Sequence, residues 1–262
     1  MAQLRKPSWA IDRDRAKKAG PQSVWLFGLH AVRDALLNPQ RQKLRLILTR
    51  NAADRLGDTL NGIDLEPEID DPRRFSAPLD PGSVHQGAAL EVLPLEWGDV
   101  ADVCAPVASA PPRVTVLLDR VTDPHNVGAV LRSAEVFGAS AVIAPRRHAA
   151  PETGALAKSA SGALERQPYL RVQNLAKTLH TLIELGYAVV GLDGQAETSI
   201  SKALKPHAGM PIALVFGAEG PGLRERTKSF CTTLARIESP SGFGSLNVSN
   251  AVAVSLFAVR NN

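Results

Sequence analysis

Short, continuously apolar runs alternate with helical stretches in the second half of the chain. The runs are VTVLLD, SAVIAP, YAVVGLD, IALVFGA and LARIE, all between residues 113 and 238. Continuously apolar strands are typical of sheets that helices cover on both faces. Their alternation with helices predicts βαβ units, and therefore a mostly parallel α/β sheet over residues 113–262.

The first half of the chain has a different pattern. An apolar run begins at Val24, a helical stretch HAVRDALLN follows, and Asn38-Pro39 stops it; KLRLILTR and HQGAALEV then have strand character. This mixture predicts a small α/β domain over residues 23–96. Residues 97–112 are rich in Ala and Pro and are typical of a semi-rigid linker, and residues 1–22 lack apolar periodicity and predict a flexible basic extension.

Charge is distributed unevenly along the chain. Residues 1–20 carry six basic and two acidic side chains, whereas residues 21–100 carry eight basic and twelve acidic ones. A basic tail suits a polyanionic partner, because neutralising phosphates releases counterions. A short basic terminus is more often a solvated tail, and both interpretations of this segment stay open. Because the small domain is net acidic, RNA contact there would need shape or a local patch such as Arg41, Lys43 and Arg45.

Composition excludes several classes of protein. With 44% hydrophobic and 21% charged residues, the chain has the composition of a soluble globular protein. It has no apolar run near the roughly 20 residues of a membrane span, and its start lacks the apolar core of a signal peptide. Cys104 and Cys231 have no metal-ligand spacing. We expect a cytoplasmic protein with two unpaired thiols, no bound metal and no membrane contact.

Three apolar runs end in polar loops that lead into helices, which places the loops at the ligand-binding edge of an open α/β sheet. In the first loop, Asn126 is a candidate N-cap or a ligand-binding side chain. Arg132 lies off the buried stripe of the following helix and leans toward the loop, where it could form a surface salt bridge or clamp a phosphate or ribose. We expect the three loops to form one composite site.

The second and third loops also carry candidate side chains. Glu219 stands among three glycines in GAEGPGL, which is not a Walker loop because Lys and Ser/Thr are missing. Ser245 and Asn247 precede the last helix, where they could cap it or position a substrate hydroxyl. The SGFGSLN segment lacks the last glycine and the later acidic residue of a dinucleotide fingerprint, so a nicotinamide-dependent oxidoreductase is disfavoured.

The segments DPHNVGAVLRSAEVFGA, LVFGAEGPGL and SLNVSNAVAVSLF resemble, in order and spacing, the three motifs of SpoU-type (TrmH-like) SPOUT RNA ribose 2′-O-methyltransferases. The resemblance covers essentially all of residues 113–262. Residues 24–95 resemble the substrate-binding domain of the same enzymes. The two-domain arrangement is most similar to the subgroup that methylates guanosine in bacterial 23S rRNA.

This resemblance implies a C-terminal sheet threaded into a trefoil knot, a homodimer and binding of S-adenosylmethionine. It also implies an RNA partner, 23S rRNA or the assembling large ribosomal subunit. The implied cofactor contacts are Leu192, Asp193, Gly194, Gly217, Ile237 and Leu246. The implied catalytic residues are Asn126, Arg132, Glu219, Ser245 and Asn247.

The family's arginine has been described as a general base, but arginine is the hardest side chain to deprotonate. We hypothesise instead that Arg132 binds an RNA phosphate and stabilises the developing 2′-alkoxide. Glu219 would orient the loop or the hydroxyl. Two alternatives stay open: a tRNA or other rRNA ribose methyltransferase, and a non-catalytic RNA-binding ribosome-assembly factor with the same fold.

Overall fold

The structure is a computed structural model that describes residues 22–107, 111–239 and 246–262. The predicted basic extension lies almost entirely outside these residues. Two sheets account for all the strands in the described ranges, one with four strands and one with six. Within those ranges, no helix combines the length and the apolar character that crossing a bilayer would require.

The smaller sheet has the order β1-β4-β2-β3, with β4 antiparallel to both β1 and β2, and β3 parallel to β2. The predicted first helix and the two predicted strands, KLRLILTR and HQGAALEV, are confirmed. The elements of this half are β1 Val24–Phe27, α1 Leu29–Leu37, β2 Lys43–Thr49, α2 Arg50–Leu56, β3 Glu68–Asp70 and β4 Ala88–Val92, with 3-10 helices Gly57–Leu60 and Pro72–Arg74.

The larger sheet is parallel throughout, in the order β10-β8-β9-β5-β6-β7. Its strands are β5 Val114–Asp119, β6 Ala141–Pro145, β7 Tyr169–Val172, β8 Ala188–Leu192, β9 Ile212–Gly217 and β10 Thr233–Ala235. The predicted α/β class with a mostly parallel sheet is confirmed. The pattern missed β7, because this short edge strand buries only its first two residues.

Helices cover both faces of the larger sheet, as the apolar runs predicted. The helices of this half are α3 Val100–Val103, α4 Pro124–Val136, α5 Gly154–Ala160, α6 Leu175–Glu184, α7 Ile200–Leu204, α8 Glu225–Lys228 and α9 Val248–Arg260, with 3-10 helices Ala163–Glu165 and Lys205–His207. In β9, Leu214 and Phe216 pack with α4, α5, α7 and α9, whereas Ala213 and Val215 pack with α6. The strand is therefore buried on both sides.

The segment predicted as a linker, residues 97–112, packs closely where the structure describes it. It forms helix α3, and Cys104 behind that helix is fully buried with a free thiol. The Tyr187 hydroxyl donates to the Cys104 carbonyl at 2.8 Å, and Arg113 Nη1 donates to the Val103 carbonyl at 2.7 Å. Cys104 thus belongs to the core on one face of the larger sheet, and Trp97, Val100 and Val103 pack against that core.

A buried ion cluster joins the two sheets. Arg41 follows α1 and is only 2% exposed; its guanidinium lies 2.7 Å from Glu165 Oε1 and 2.6 Å from Glu152 Oε1. Asn38 Nδ2 donates to Glu165 Oε2 at 2.9 Å. The idea that Arg41 belongs to an RNA-binding patch is therefore wrong, because both carboxylates come from the other half and neutralise it.

Close backbone packing reinforces this joint. A Cβ atom on Gly154 would lie 2.4 Å from both Phe27 Cδ1 and the Trp25 carbonyl oxygen, so the start of α5 lies directly on β1. One continuous apolar core runs from Leu26 and Leu48 into Val116 and Leu156. The division into domains at residues 23–96 and 113–262 stays a prediction, and the two halves share a core.

Candidate active site

The first predicted loop connects β5 to α4, and its geometry differs from the prediction in one respect. The helix begins at Pro124, and the side chain of Asp123 caps it by accepting from the His125 amide at 2.9 Å. Asn126 therefore lies in the first helical turn and is not the N-cap. With Asp123 in that role, the carboxamide of Asn126 is available for the site.

Arg132 lies one and a half turns further along α4, on its exposed face. The predicted apolar stripe is largely confirmed, because Val127, Val130, Leu131 and Ala134 are all fully buried. Within the described ranges, Arg132 has neither a hydrogen bond nor an ion pair from its side chain. Its guanidinium is consequently available to an anionic ligand, and the salt-bridge alternative has no partner there.

The second loop turns back on itself after β9. The Gly222 amide donates to the Ala218 carbonyl at 2.9 Å, which closes a tight turn around Glu219. A Cβ atom on Gly217 would lie 2.1 Å from the Gly222 carbonyl carbon, so only glycine permits this backbone approach. The turn leaves Glu219 exposed at the carboxyl edge of the sheet.

The three loops meet through side-chain hydrogen bonds. Asn247 Nδ2 donates to Asn126 Oδ1 and to Glu219 Oε1, each at 2.9 Å. Asn126 Nδ2 donates to the same Glu219 oxygen at 3.2 Å. Asn247 also caps α9, because its Oδ1 accepts from the Ser249 amide at 2.9 Å. The expectation that distant loops form one composite site is thus met for these three residues.

The loops that follow β8 and β10 carry the expected cofactor contacts Asp193 and Ile237. The Asp193 amide donates to the Ala235 carbonyl at 2.9 Å, which fixes the loop after β8 beside the segment that carries Ile237. Lys228 Nζ lies 2.8 Å from Asp193 Oδ2. The hydrogen bond from Lys228, helped by the Gln195 amide, lowers the pKa of the Asp193 carboxyl, which is therefore ionised at neutral pH.

The matched family model spans the segment that contains all three loops. The model of the SpoU rRNA methylase family matches residues 113–257, more than half of the chain. The chain belongs to the SpoU rRNA methylase family. The resemblance drawn from the three motifs is thereby confirmed.

Relatives of this SpoU protein match along most of its length. The 23S rRNA (guanosine-2′-O-)-methyltransferase RlmB of Vibrio vulnificus strain CMCP6 is 38% identical over 246 residues, covering 90% of this chain and 96% of the relative. The protein of the same name from Ralstonia nicotianae is 39% identical over 246 residues, covering 91% and 96%. The similarity therefore includes the smaller sheet as well as the segment matched by the family model.

Solved structures share the SpoU fold. The SpoU methyltransferase AviRb of Streptomyces viridochromogenes, in complex with AdoMet, superposes with a TM-score of 0.76, covering 95% of this chain and 93% of that one. The two sequences are 23% identical, so this comparison supports the fold and not the roles of individual residues.

The structure describes all but one of the predicted site residues of this SpoU protein. Ser245 lies outside the described residues. Leu192 and Ile237 are half-buried, Gly194 and Leu246 are exposed, and Gly217 is fixed by the turn. Asn126, Glu219 and Asn247 come together, whereas Arg132 contacts none of these three side chains.

Sequence reasoning missed the anchor of the second loop in this SpoU chain. Asp119 ends β5, and its side chain is fully buried. Arg224 Nε donates to Asp119 Oδ2 at 3.0 Å, and the Thr227 hydroxyl donates to the same oxygen at 2.6 Å. The sequence feature that could have indicated this anchor is an aspartate at the end of an otherwise apolar strand. A carboxylate buried there requires a partner.

Proposed function

We propose that this protein transfers a methyl group from S-adenosylmethionine to the ribose 2′-hydroxyl of a guanosine in 23S rRNA. The observation that carries the proposal is the hydrogen-bonded cluster of Asn126, Glu219 and Asn247 inside the segment that matches the SpoU model. The choice of 23S rRNA and guanosine rests on the names of the relatives that are 38% and 39% identical.

The residues beside the cluster fit a cofactor of this kind. Gly217 keeps the floor of the turn free of side-chain atoms, and Leu192, Ile237 and Leu246 each leave apolar surface accessible. Asp193 is an ionised carboxylate that could accept hydrogen bonds from a ribose. When bound there, S-adenosylmethionine supplies a methyl group activated by a cationic sulfonium.

The cluster orients an acceptor for the reacting hydroxyl. Both amides donate to Oε1 of Glu219, and no donor from residues 22–107, 111–239 or 246–262 reaches its Oε2. That oxygen is free to accept a hydrogen bond from the 2′-hydroxyl, which directs the hydroxyl lone pair at the methyl group. As the new O–C bond forms and the S–C bond breaks to release S-adenosylhomocysteine, the hydroxyl proton passes to this carboxylate and from there to solvent. Holding reactants in line supplies much of the rate of such transfers.

Arg132 supplies positive charge to the same edge. Its guanidinium has no partner among the described residues, binds the RNA phosphate next to the target and stabilises the developing 2′-alkoxide. The planar fork of donors suits a phosphate better than a single ammonium group would. Arg132 therefore acts by electrostatic stabilisation and positioning, and not as a base.

The working unit is a homodimer. The outer surface of α4 and α9 carries large exposed apolar side chains: Val136 is 78% exposed, Phe257 58% and Val254 43%. Apolar side chains on a neighbouring pair of helices are typical of a surface that a partner covers. Light scattering should give twice the chain mass, and Phe257→Ser should shift the protein toward the monomer.

The remaining parts of the proposal concern topology and location. The half of the chain that forms the larger sheet is folded into a trefoil knot that involves the loop after β8. Its support is the bridge between Ser199 and Arg236, which brings that loop against the segment after β10. The protein acts in the cytoplasm on rRNA, free or within an assembling large subunit.

The direct test combines purified protein with labelled S-adenosylmethionine and separate 23S rRNA and tRNA. We expect label in 23S rRNA only, at one ribose 2′-oxygen, and loss of that mark in cells lacking the gene. Label in tRNA would support the alternative target. Absence of both methyl transfer and cofactor binding by calorimetry would favour the non-catalytic assembly factor.

A pair of glycine variants tests the cofactor site. Gly217→Ala should abolish S-adenosylmethionine binding, because the added Cβ would overlap the backbone of Gly222. Gly62→Ala is the matched control, since a Cβ there meets no atom within 4 Å. Equal cofactor affinity in the two variants would contradict the proposed cofactor position.

A further inference from the structure

A basic cavity lies at the carboxyl edge of the larger sheet, beside the proposed active site and separate from the cofactor residues. Its volume is about 290 Å³. It opens between the ends of β6 and β7 on one side and the start of α8 on the other. The polar side chains that line it include Arg147, His148, Asn174, Arg224, Arg226 and Thr227.

Two of the three arginines that line this cavity are not neutralised by the protein. Arg147 and Arg226 are exposed, and neither has an ion pair or a side-chain hydrogen bond within residues 22–107, 111–239 and 246–262. Among the described residues that line the cavity there is no aspartate or glutamate. Exposed Arg45, by contrast, is paired with Glu68. The cavity therefore presents a net positive charge to an incoming ligand.

One cation of the cavity is held in place by the active-site framework. Arg224 follows the second loop directly and binds the buried carboxylate of Asp119 at the end of β5. The strand order β9-β5-β6-β7 puts the cavity beside the strand whose following loop carries Asn126. Neighbouring strands lie about 4.8 Å apart, so β6 and β7 end within about 10 Å of β5.

We infer that this cavity binds a backbone phosphate of the RNA substrate, from a nucleotide flanking the one that is methylated. The inference rests on the proposed function. A single RNA strand that crosses the sheet edge, with its target ribose at Asn126 and Glu219, would pass the cavity. Arginine forks bind phosphate oxygens in pairs of hydrogen bonds, and such contacts fix the register of the strand without reading its bases.

The test compares RNA binding by the double variant Arg147→Ala/Arg226→Ala with that of the wild type. The affinity for transcribed 23S rRNA at 0.1 M salt should fall by about ten-fold or more, as expected for lost charge-assisted hydrogen bonds. The slope of log affinity against log salt should become shallower by about one to two. S-adenosylmethionine affinity and the methyl-transfer rate at saturating RNA should stay at wild-type values.

The matched control removes two positive charges elsewhere. Lys202 and Lys205 are exposed and unpaired in the described structure, and they lie on α7 and the 3-10 helix that leads to the other end of the sheet. Lys202→Ala/Lys205→Ala should leave the affinity and the salt slope nearly unchanged. An equal loss of RNA affinity in both double variants would show that only the overall positive charge of the protein matters. That result would overturn the inference.

Other outcomes separate this inference from the proposed function. If the wild type methylates 23S rRNA but the Arg147/Arg226 variant keeps its affinity and salt slope, the cavity is not an RNA site and the inference is wrong. Tight binding of free guanosine monophosphate, abolished by the variant without any change in RNA affinity, would overturn it too. If the wild type does not methylate RNA at all, the proposed function fails first. If the double alanine variant is destabilised, the double variant Arg147→Gln/Arg226→Gln provides the same test of RNA affinity.

Discussion

Two groups of arginines, one in each half of the molecule, have opposite surroundings. In the smaller sheet, Arg41 is buried against two carboxylates and Arg45 is paired with Glu68. Along the carboxyl edge of the larger sheet, Arg132, Arg147 and Arg226 are exposed and have no ion-pair partner among the described residues. Residue type alone does not separate the two groups. What separates them is whether a carboxylate from another part of the chain reaches the guanidinium.

The burial of Arg41 affects how the contribution of the smaller half can be tested. The smaller sheet is net acidic in sequence, and its most conspicuous cation holds it to the larger sheet through Glu165 and Glu152. Removing residues 1–95 would leave those two carboxylates unpaired and would uncover the start of α5. Point substitutions are therefore a better test of what the smaller half contributes than a truncation is.

The largest effect should come from breaking the buried ion cluster. Arg41→Ala leaves Glu152 and Glu165 in place without their cation, and removing one partner of a buried pair typically costs about 3–5 kcal/mol. Denaturant unfolding followed by circular dichroism measures the loss. Arg45→Ala is the control, because its exposed pair with Glu68 is screened by solvent and should cost far less.

The pH dependence of the Arg41→Ala variant gives a further check. Burial already raises the pKa of the Glu152 carboxyl, and Arg41 is the group that opposes this rise. A carboxyl whose pKa is higher in the folded state favours folding as it takes up a proton. Lowering the pH through that raised pKa should therefore recover part of the variant's lost stability; a loss that does not change with pH would contradict this account.

A smaller effect, on rate and not on stability, is expected at Arg132. Arg132→Lys keeps the positive charge but loses the planar fork, so single-turnover methyl transfer should slow by about ten-fold or more, the scale of one or two charge-assisted hydrogen bonds. The unfolding midpoint should not move, because the side chain has no partner among the described residues. Wild-type rates in this variant would show that the fork is not needed and would refute the role given to Arg132.

The smallest effect should come from Lys228, a half-buried cation that is paired with Asp193. In the folded protein, the Lys228 hydrogen bond lowers the pKa of Asp193. A lowered carboxyl pKa contributes stability above the unfolded value of about 4 and loses it as the pH falls through the folded value. Lys228→Met should therefore be slightly less stable than the wild type at neutral pH. The denaturant midpoints of the two proteins should converge as the pH falls below the lowered pKa of Asp193. A difference that stays constant with pH would contradict a role for the Lys228–Asp193 pair in stability.

Local pattern predicted much of the fold and failed at identifiable places. The apolar runs located β5, β6, β8 and β9, whereas β7 was missed because an edge strand need not be continuously apolar. The N-terminus of α4 was assigned to Asn126, although Asp123 also has a capping side chain and precedes the proline that begins the helix. Where two capping residues stand close together, pattern alone does not choose between them.

The sequence by itself determined the order of strands, loops and helices, and placed Asn126, Glu219 and Asn247 at the ends of apolar elements. Only the tertiary structure decided that Asn126 meets Glu219 across 93 positions and Asn247 across 121, and that Arg41 is buried and Arg147 is not. The physical reason is that hydrophobic periodicity specifies which face of an element is buried. It does not specify which distant polar group will lie opposite, because that depends on how the packed strands are ordered in the sheet.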